Sequence, residues 1–250
     1  MKKVMTMKGL SGNQIKLIAI IAMTVDHLTW LLFPGINTEW YVLLLHAVGR
    51  LTAPIMWFFI AEGCHYTRDI KKYAARLFVF AVISHFAYNF AFDIPFVPFK
   101  TGVFNQTGVM WAYAWAVVVV MIHKSDQIKD WVKTILTFLI AFIAFPSDWS
   151  SIAVMCPFYI YLHRGDFKKQ VLDIVIWSAI YAAVYFLFID KAYGALQMCT
   201  ALTIPILANY NGERGSWKGM KWFFYAYYPL HLFIIGIIRI LLHGNAVLIF

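Results

Sequence analysis

Charge is scarce in this sequence: Asp, Glu, Lys and Arg together make up 13% of its 250 residues, while hydrophobic residues make up 62%. Water-soluble domains carry about 25% charged residues, so a soluble globular fold is excluded. Cysteine is scarce too. Cys64, Cys156 and Cys199 stand apart, with neither CxxC spacing nor an even count, so a disulfide framework is not expected and they read as small apolar fillers. No metal site is expected, and there is no internal repeat or low-complexity tract. The 21 Lys and Arg outnumber the 12 Asp and Glu, for a formal charge of +9, but they are scattered between apolar stretches and form no patch or arm. That pattern speaks against nucleic acid as a partner and for orientation in a lipid bilayer.

What the chain has in abundance is long apolar sequence, with a mean hydropathy of +0.70. A hydrocarbon core ~30 Å thick needs about 20 residues of helix to cross it. Such stretches follow one another with short polar interruptions, which predicts an all-α, polytopic membrane protein forming one domain over residues 1–250. The expected spans, about nine, are 13–33, 41–63, 73–92, 106–122, 131–145, 150–162, 171–189, 192–208 and 222–242. The first is read as a retained span. Lys2, Lys3 and Lys8 precede it, but its apolar run is long, contains Asp26 and His27, and shows no small-residue cleavage site.

Lys and Arg collect in short loops on the cytoplasmic side of a membrane. With the N-terminus cytoplasmic and nine crossings, all of them fall on that side except Arg50, Lys100, Lys191 and Arg239. Trp40, Trp131, Trp149 and Trp222 lie near span ends, where indole rings anchor at the interface. Segment 150–162 is short for a crossing and the turn at Asp190 and Lys191 is tight, so a re-entrant segment is the alternative there.

Nearly all the intramembrane ionisable groups belong to the first three spans and the last. A charge at the centre of a spanning helix costs about 2.5 to 3.5 kcal/mol on insertion scales, so such groups face protein or water and have partners. Asp26 and His27 fall a little beyond mid-membrane, and Arg50 of the second span lies at a compatible depth to pair with Asp26. His46 and Arg50 share a helical face, as do Tyr227, His231 and Arg239 of the last span, where Pro229 removes a backbone hydrogen bond. His85, Asn89 and Asp93 make a polar stripe on the third span, expected to wall a cavity. Taken singly, His46, Asn89 or Asp93 would serve as an interhelical hydrogen-bonding group. Glu62, Arg68, Lys71, Lys72 and Arg76 gather at the cytoplasmic end of the second span and the loop after it, as a solvated helix end or as the holder of an anionic ligand.

The run Lys16-Leu-Ile-Ala-Ile-Ile-Ala-Met-Thr-Val-Asp26-His27 resembles the opening signature of the TraX family, polytopic proteins named for a conjugal-transfer protein associated with pilin acetylation. The likeness extends through Arg50-Leu-Thr-Ala-Pro54-Ile, Ala61-Glu62-Gly63, Thr67-Arg68, Lys72-Tyr73 and Arg76, and returns at Tyr228-Pro229-Leu230-His231. The middle of the chain matches in hydropathy only.

The resemblance implies a multi-pass protein of the bacterial cytoplasmic membrane that transfers an acetyl group from acetyl-CoA to an amino group of a membrane-presented or exported peptide, glycan or lipid. Transferred to this chain, His27 would be the general base with His231 as its rival, Asp26 its orienting carboxylate, and Arg50 the partner of Asp26 or the oxyanion stabiliser. His46, His85, Asn89 and Tyr227 would line the acceptor cavity, and Glu62, Arg68, Lys71, Lys72 and Arg76 would hold the cofactor. The same polar helices would also suit a proton-coupled transporter, or only helix packing in a noncatalytic assembly protein.

Overall fold

The computed structural model describes residues 9–97, 100 and 102–244. Lys2, Lys3 and Lys8 lie outside the described residues. The rest is helical: α1 (Gly12–Leu32), α2 (Trp40–Gly49), α3 (Thr52–Tyr66), α4 (Ile70–Phe92), α5 (Met110–His123), α6 (Asp130–Ala144), α7 (Ile152–Leu162), α8 (Phe167–Phe188), α9 (Lys191–Gln197), a 3-10 turn (Met198–Thr203), α10 (Ile204–Ala208) and α11 (Met220–His243). Helix occurs in each stretch read as a span, with 192–208 divided between two short helices and the 3-10 turn.

The breaks have identifiable causes. Pro54 lacks an N–H and its ring crowds the carbonyl four residues back, which is that of Arg50. The second span accordingly divides there into α2 and α3. Pro205 does the same to Ala201, and the segment from Lys191 becomes two short helices joined by the 3-10 turn. Within that turn the hydroxyls of Thr200 and Thr203 donate to the carbonyls of Gln197 (2.9 Å) and Thr200 (2.7 Å).

Helix starts follow the sequence. Ser11 and Gln14 form a reciprocal capping box on α1. Asp69 and Asp166 accept from the backbone N–H of Lys72 (2.9 Å) and Lys169 (3.2 Å). Those backbone donors hold both carboxyls below their ordinary range.

Five helices are long and apolar enough to cross a membrane, counting Trp40–Tyr66 as one: the others are α1, α4, α8 and α11. Helices α5 and α7 are apolar but shorter. Large apolar side chains point outward, with Phe142, Phe188 and Leu241 each 79% exposed. Only a hydrocarbon solvent accommodates such a surface, and the chain is a polytopic helical membrane protein. Inside, α4 packs against α5 and α11, α1 against α2, α3 and α11, and α7 against α3, α5 and α8. Helix α5, buried through Ala112, Ala114, Ala116, Val117 and Val119, forms the centre of the bundle.

Candidate functional site

Asp26, on α1 about 21 Å from the start of that helix, is reached by two side chains of α2 and its C-cap. His46 donates through Nδ1 to Oδ1 at 2.8 Å, and Arg50 donates through Nη2 to the same oxygen at 3.0 Å. Gly49 makes that approach possible, because a Cβ there would run into the Asp26 carboxylate. Arg50 also donates to the His46 carbonyl (3.3 Å) and to Gln197 Oε1 (3.2 Å), and its guanidinium lies 5.5 Å from the centre of the Trp149 ring. The charged pair expected from depth alone is therefore present, with the broken α9–α10 segment supplying its third partner.

His27 turns the other way, to α11. Its Nδ1 is 2.8 Å from His231 Nε2, and the rings stack within 4° of parallel. His231 Nδ1 lies 2.9 Å from the carbonyl of Tyr227, one turn earlier on the same helix. A carbonyl only accepts, so His231 Nδ1 carries a proton and its Nε2, when neutral, is the acceptor. His27 Nδ1 must then donate, which leaves His27 Nε2 with a lone pair and no hydrogen-bond partner among the described residues. His27 and His231 thus form one hydrogen-bonded relay. Tyr227 helps to hold it: Thr24 donates to the Ile20 carbonyl (2.8 Å), so the Tyr227 hydroxyl donates to Thr24 Oγ1 (2.7 Å), tying α11 to α1.

Asp26, His27 and Arg50 line a chamber of about 70 Å³, together with residues of α4, α5, α8 and two loops. Asp148, from the loop between α6 and α7, is among them, and the sequence reading did not select it. The two loops are stitched together: Gln106 N–H donates to the Pro146 carbonyl (2.7 Å) and Asp148 N–H to the Thr107 carbonyl (2.8 Å). Trp149 and Ser150 both take positive φ, 62° and 50°, and Asn105 takes 51°, a conformation that costs about 1 kcal/mol or more for a non-glycine residue.

The polar stripe on α4 does not line the chamber, and of its three residues His85 reaches the stitched loops. His85 bonds Thr107 Oγ1 (3.0 Å) and the Phe96 carbonyl (2.8 Å), and Asn89 donates to the Pro95 carbonyl (2.9 Å). Asp93 pairs with Arg239 at 3.1 Å.

A second cavity, about 530 Å³, opens at the end of the bundle where α1, α4 and α11 begin. Its wall is apolar and aromatic, and it carries Lys16, Arg76, Arg214 and Lys221. None of these four has a carboxylate within 4.0 Å among the described residues. Glu62 also borders the cavity, but Arg164 neutralises it at 2.7 Å. Of the basic cluster expected from sequence, Arg76 alone reaches the cavity; Arg68 and Lys71 do not line it, and Lys72 pairs with Asp69 at the surface. Met23, Thr52, Val109, Tyr113 and Tyr228 line both cavities, so the two share a wall.

The model of the family described as TraX protein matches residues 11–239. A curated relative, the probable fimbrial assembly protein FimC, serogroup H1, of Dichelobacter nodosus, is 32% identical over 236 residues, covering 89% of this chain and 93% of that protein. No solved structure matches. The matched region holds both halves of the histidine relay, the Asp26–Arg50 pair and the cations of the large cavity, and the chain belongs to the TraX family.

Proposed function

We propose that this protein is a membrane acyltransferase that moves an acetyl group from acetyl-CoA to an amine presented at the chamber, in a role linked to pilus or fimbrial assembly. The observation that carries the reading is the adjacency of two unlike spaces. A large cavity with unpaired cations suits a nucleotide-bearing thioester, and it shares a wall with a small chamber bordered by an unprotonated imidazole nitrogen. Lys16, Arg76, Arg214 and Lys221 would hold the phosphates, and the apolar wall would guide the pantetheine arm toward Met23 and Tyr228.

In the reaction, the acceptor ammonium gives a proton to His27 Nε2 and the freed amine attacks the thioester carbonyl carbon. The C–N bond forms and the C–S bond breaks; the second proton on the attacking nitrogen goes to the leaving thiolate, and His27 releases the first to water. The other imidazole, His231, fixes the tautomer of His27 and shares the charge. Arg50, with Asp26 and Gln197 on its guanidinium, keeps the chamber polar, and the Tyr228 hydroxyl at the shared wall is the donor we assign to the developing oxyanion. The printed name of the fimbrial relative supports the setting in which the acceptor would be met.

We further read nine crossings of a bacterial inner membrane with the N-terminus cytoplasmic, which puts the mouth of the large cavity where cytosolic acetyl-CoA is. The alternation of Lys and Arg between loops supports this.

The test is transfer of radiolabelled acetyl from acetyl-CoA to a pilin-type N-terminal peptide by the purified protein. Transfer by wild type and none by His27→Ala, with the helical content of the two equal, is the expected result. Transfer by the variant at the wild-type rate would remove the assignment.

A further inference from the structure

Three groups in the chamber carry formal charge: Asp26, Asp148 and Arg50. Arg50 is taken up by Asp26 at 3.0 Å, and the His27–His231 relay accounts for its protons with both rings neutral. One carboxylate, that of Asp148, is left over, with no cation within 4.0 Å among the described residues. Arg50 still attracts this carboxylate from beyond contact distance, and a half-buried anion with no cation in contact favours a positive charge in the space in front of it. The surroundings specify which kind. Tyr88, Tyr113, Tyr181, Tyr185, Tyr228 and Trp149 line the same chamber. Trp149 stacks on Tyr181 at 4.9 Å between ring centres, and Tyr181 and Tyr185 lie 4.8 Å apart. Rings of tyrosine and tryptophan around a carboxylate attract an organic ammonium through their faces, in addition to the charge of the acid. A space of about 70 Å³ admits an amine head group.

We propose that Asp148 and the aromatic ring around it form the ammonium-binding subsite of the acceptor, holding a primary amine in its charged form beside His27 before the proton is removed. This rests on the acyltransferase reading for its purpose, though not for its geometry. The loop is held in position to do it: the Thr107–Asp148 backbone bond, the His85–Thr107 contact and the left-handed Trp149 and Ser150 fix the carboxylate from outside the chamber. His85, selected from sequence as a cavity residue, is a positioning residue for this subsite.

The experiment uses the full-length protein in detergent and reads thermal unfolding in methylammonium chloride against potassium chloride at equal ionic strength. Wild type is expected to gain stability from methylammonium and not from potassium. Asp148→Asn is expected to lose that difference, and Tyr181→Leu to weaken it; the second variant keeps the test decisive should the first not fold. With an amine-bearing acceptor peptide, Asp148→Asn should raise KM about tenfold or more with the smaller change in kcat. No difference between the two salts for wild type, or an undiminished difference in Asp148→Asn, overturns the subsite. Stabilisation by acetyl-CoA, measured on the same samples, separates the two readings. Protection by methylammonium without binding of acetyl-CoA leaves the subsite standing and removes the acyltransferase, and binding of acetyl-CoA without protection by methylammonium does the reverse.

Discussion

The two cavities of this protein differ in nearly every physical respect. Around the chamber of about 70 Å³, the Asp26 carboxylate holds His46 and Arg50, and His27 holds His231, by hydrogen bonds of 2.8 to 3.0 Å. The neighbouring cavity is about 530 Å³, mostly apolar, and its four cations have no carboxylate within 4.0 Å among the described residues. A tight, paired site suits a reacting centre, because preorganised groups are worth most where water is excluded. A roomy site with unpaired charge suits recognition of a large anion. Chemistry and donor recognition would therefore occupy different spaces of one bundle, meeting at the wall shared by Met23, Thr52, Val109, Tyr113 and Tyr228.

That division can be broken by substitution, and the expected effects fall in order. Replacing His27 with Ala removes the proposed base, and transfer should fall by 10² to 10⁴, roughly the worth of positioned proton transfer; a rate assay under saturating acetyl-CoA reads it. His231→Ala should cost less, about tenfold to a hundredfold, because Nδ1 of His27 loses its acceptor while Nε2 remains. Asp26→Asn strips Arg50 of its counter-charge and should destabilise the fold by about 3 kcal/mol, the lower end for a broken buried pair, visible as a lowered unfolding midpoint even in the absence of substrate. On the other side of the wall, Arg76→Ala or Arg214→Ala should raise the KM for acetyl-CoA by about tenfold and flatten its salt dependence, with kcat nearly unchanged. Smallest of all is Lys72→Ala, expected to change that KM less than twofold, since Lys72 lies outside the cavity on Asp69. Equal effects at Lys72 and Arg214 would erase the distinction between the cavity and the loop beside it.

The helices themselves were legible because their signal is local. Runs of apolar residues locate α1, α4, α8 and α11, whereas the division of α2 from α3 before Pro54 was not drawn in the expected span 41–63. Asp26 with Arg50 was legible for a related reason: two charges at one depth in adjacent spans have few other partners. The relay joins residues 204 positions apart, and sequence offered His27 and His231 as rival bases without showing that they touch. Asp148 escaped because its signal is weak and non-local. It stands in the short Ser147-Asp148-Trp149-Ser150 loop, and what brings it to Asp26 is the backbone pairing with the loop after α4. An acidic residue between two spans, flanked by serines and an aromatic, was the cue available. Of the cations of the large cavity Arg76 was selected from sequence, while Lys16, Arg214 and Lys221 escaped likewise, since they come from two helices and a loop, and Arg68, Lys71 and Lys72 are neighbours of Arg76 only along the chain.

The most direct test of the central claim, that donor and base meet through the shared wall, is to plug that wall without touching either site's charges. Met23→Trp and Val109→Phe place extra bulk between the cavities. The account predicts that acetyl-CoA still stabilises both variants against heat while acetyl transfer is lost; transfer at the wild-type rate through a blocked wall would contradict it.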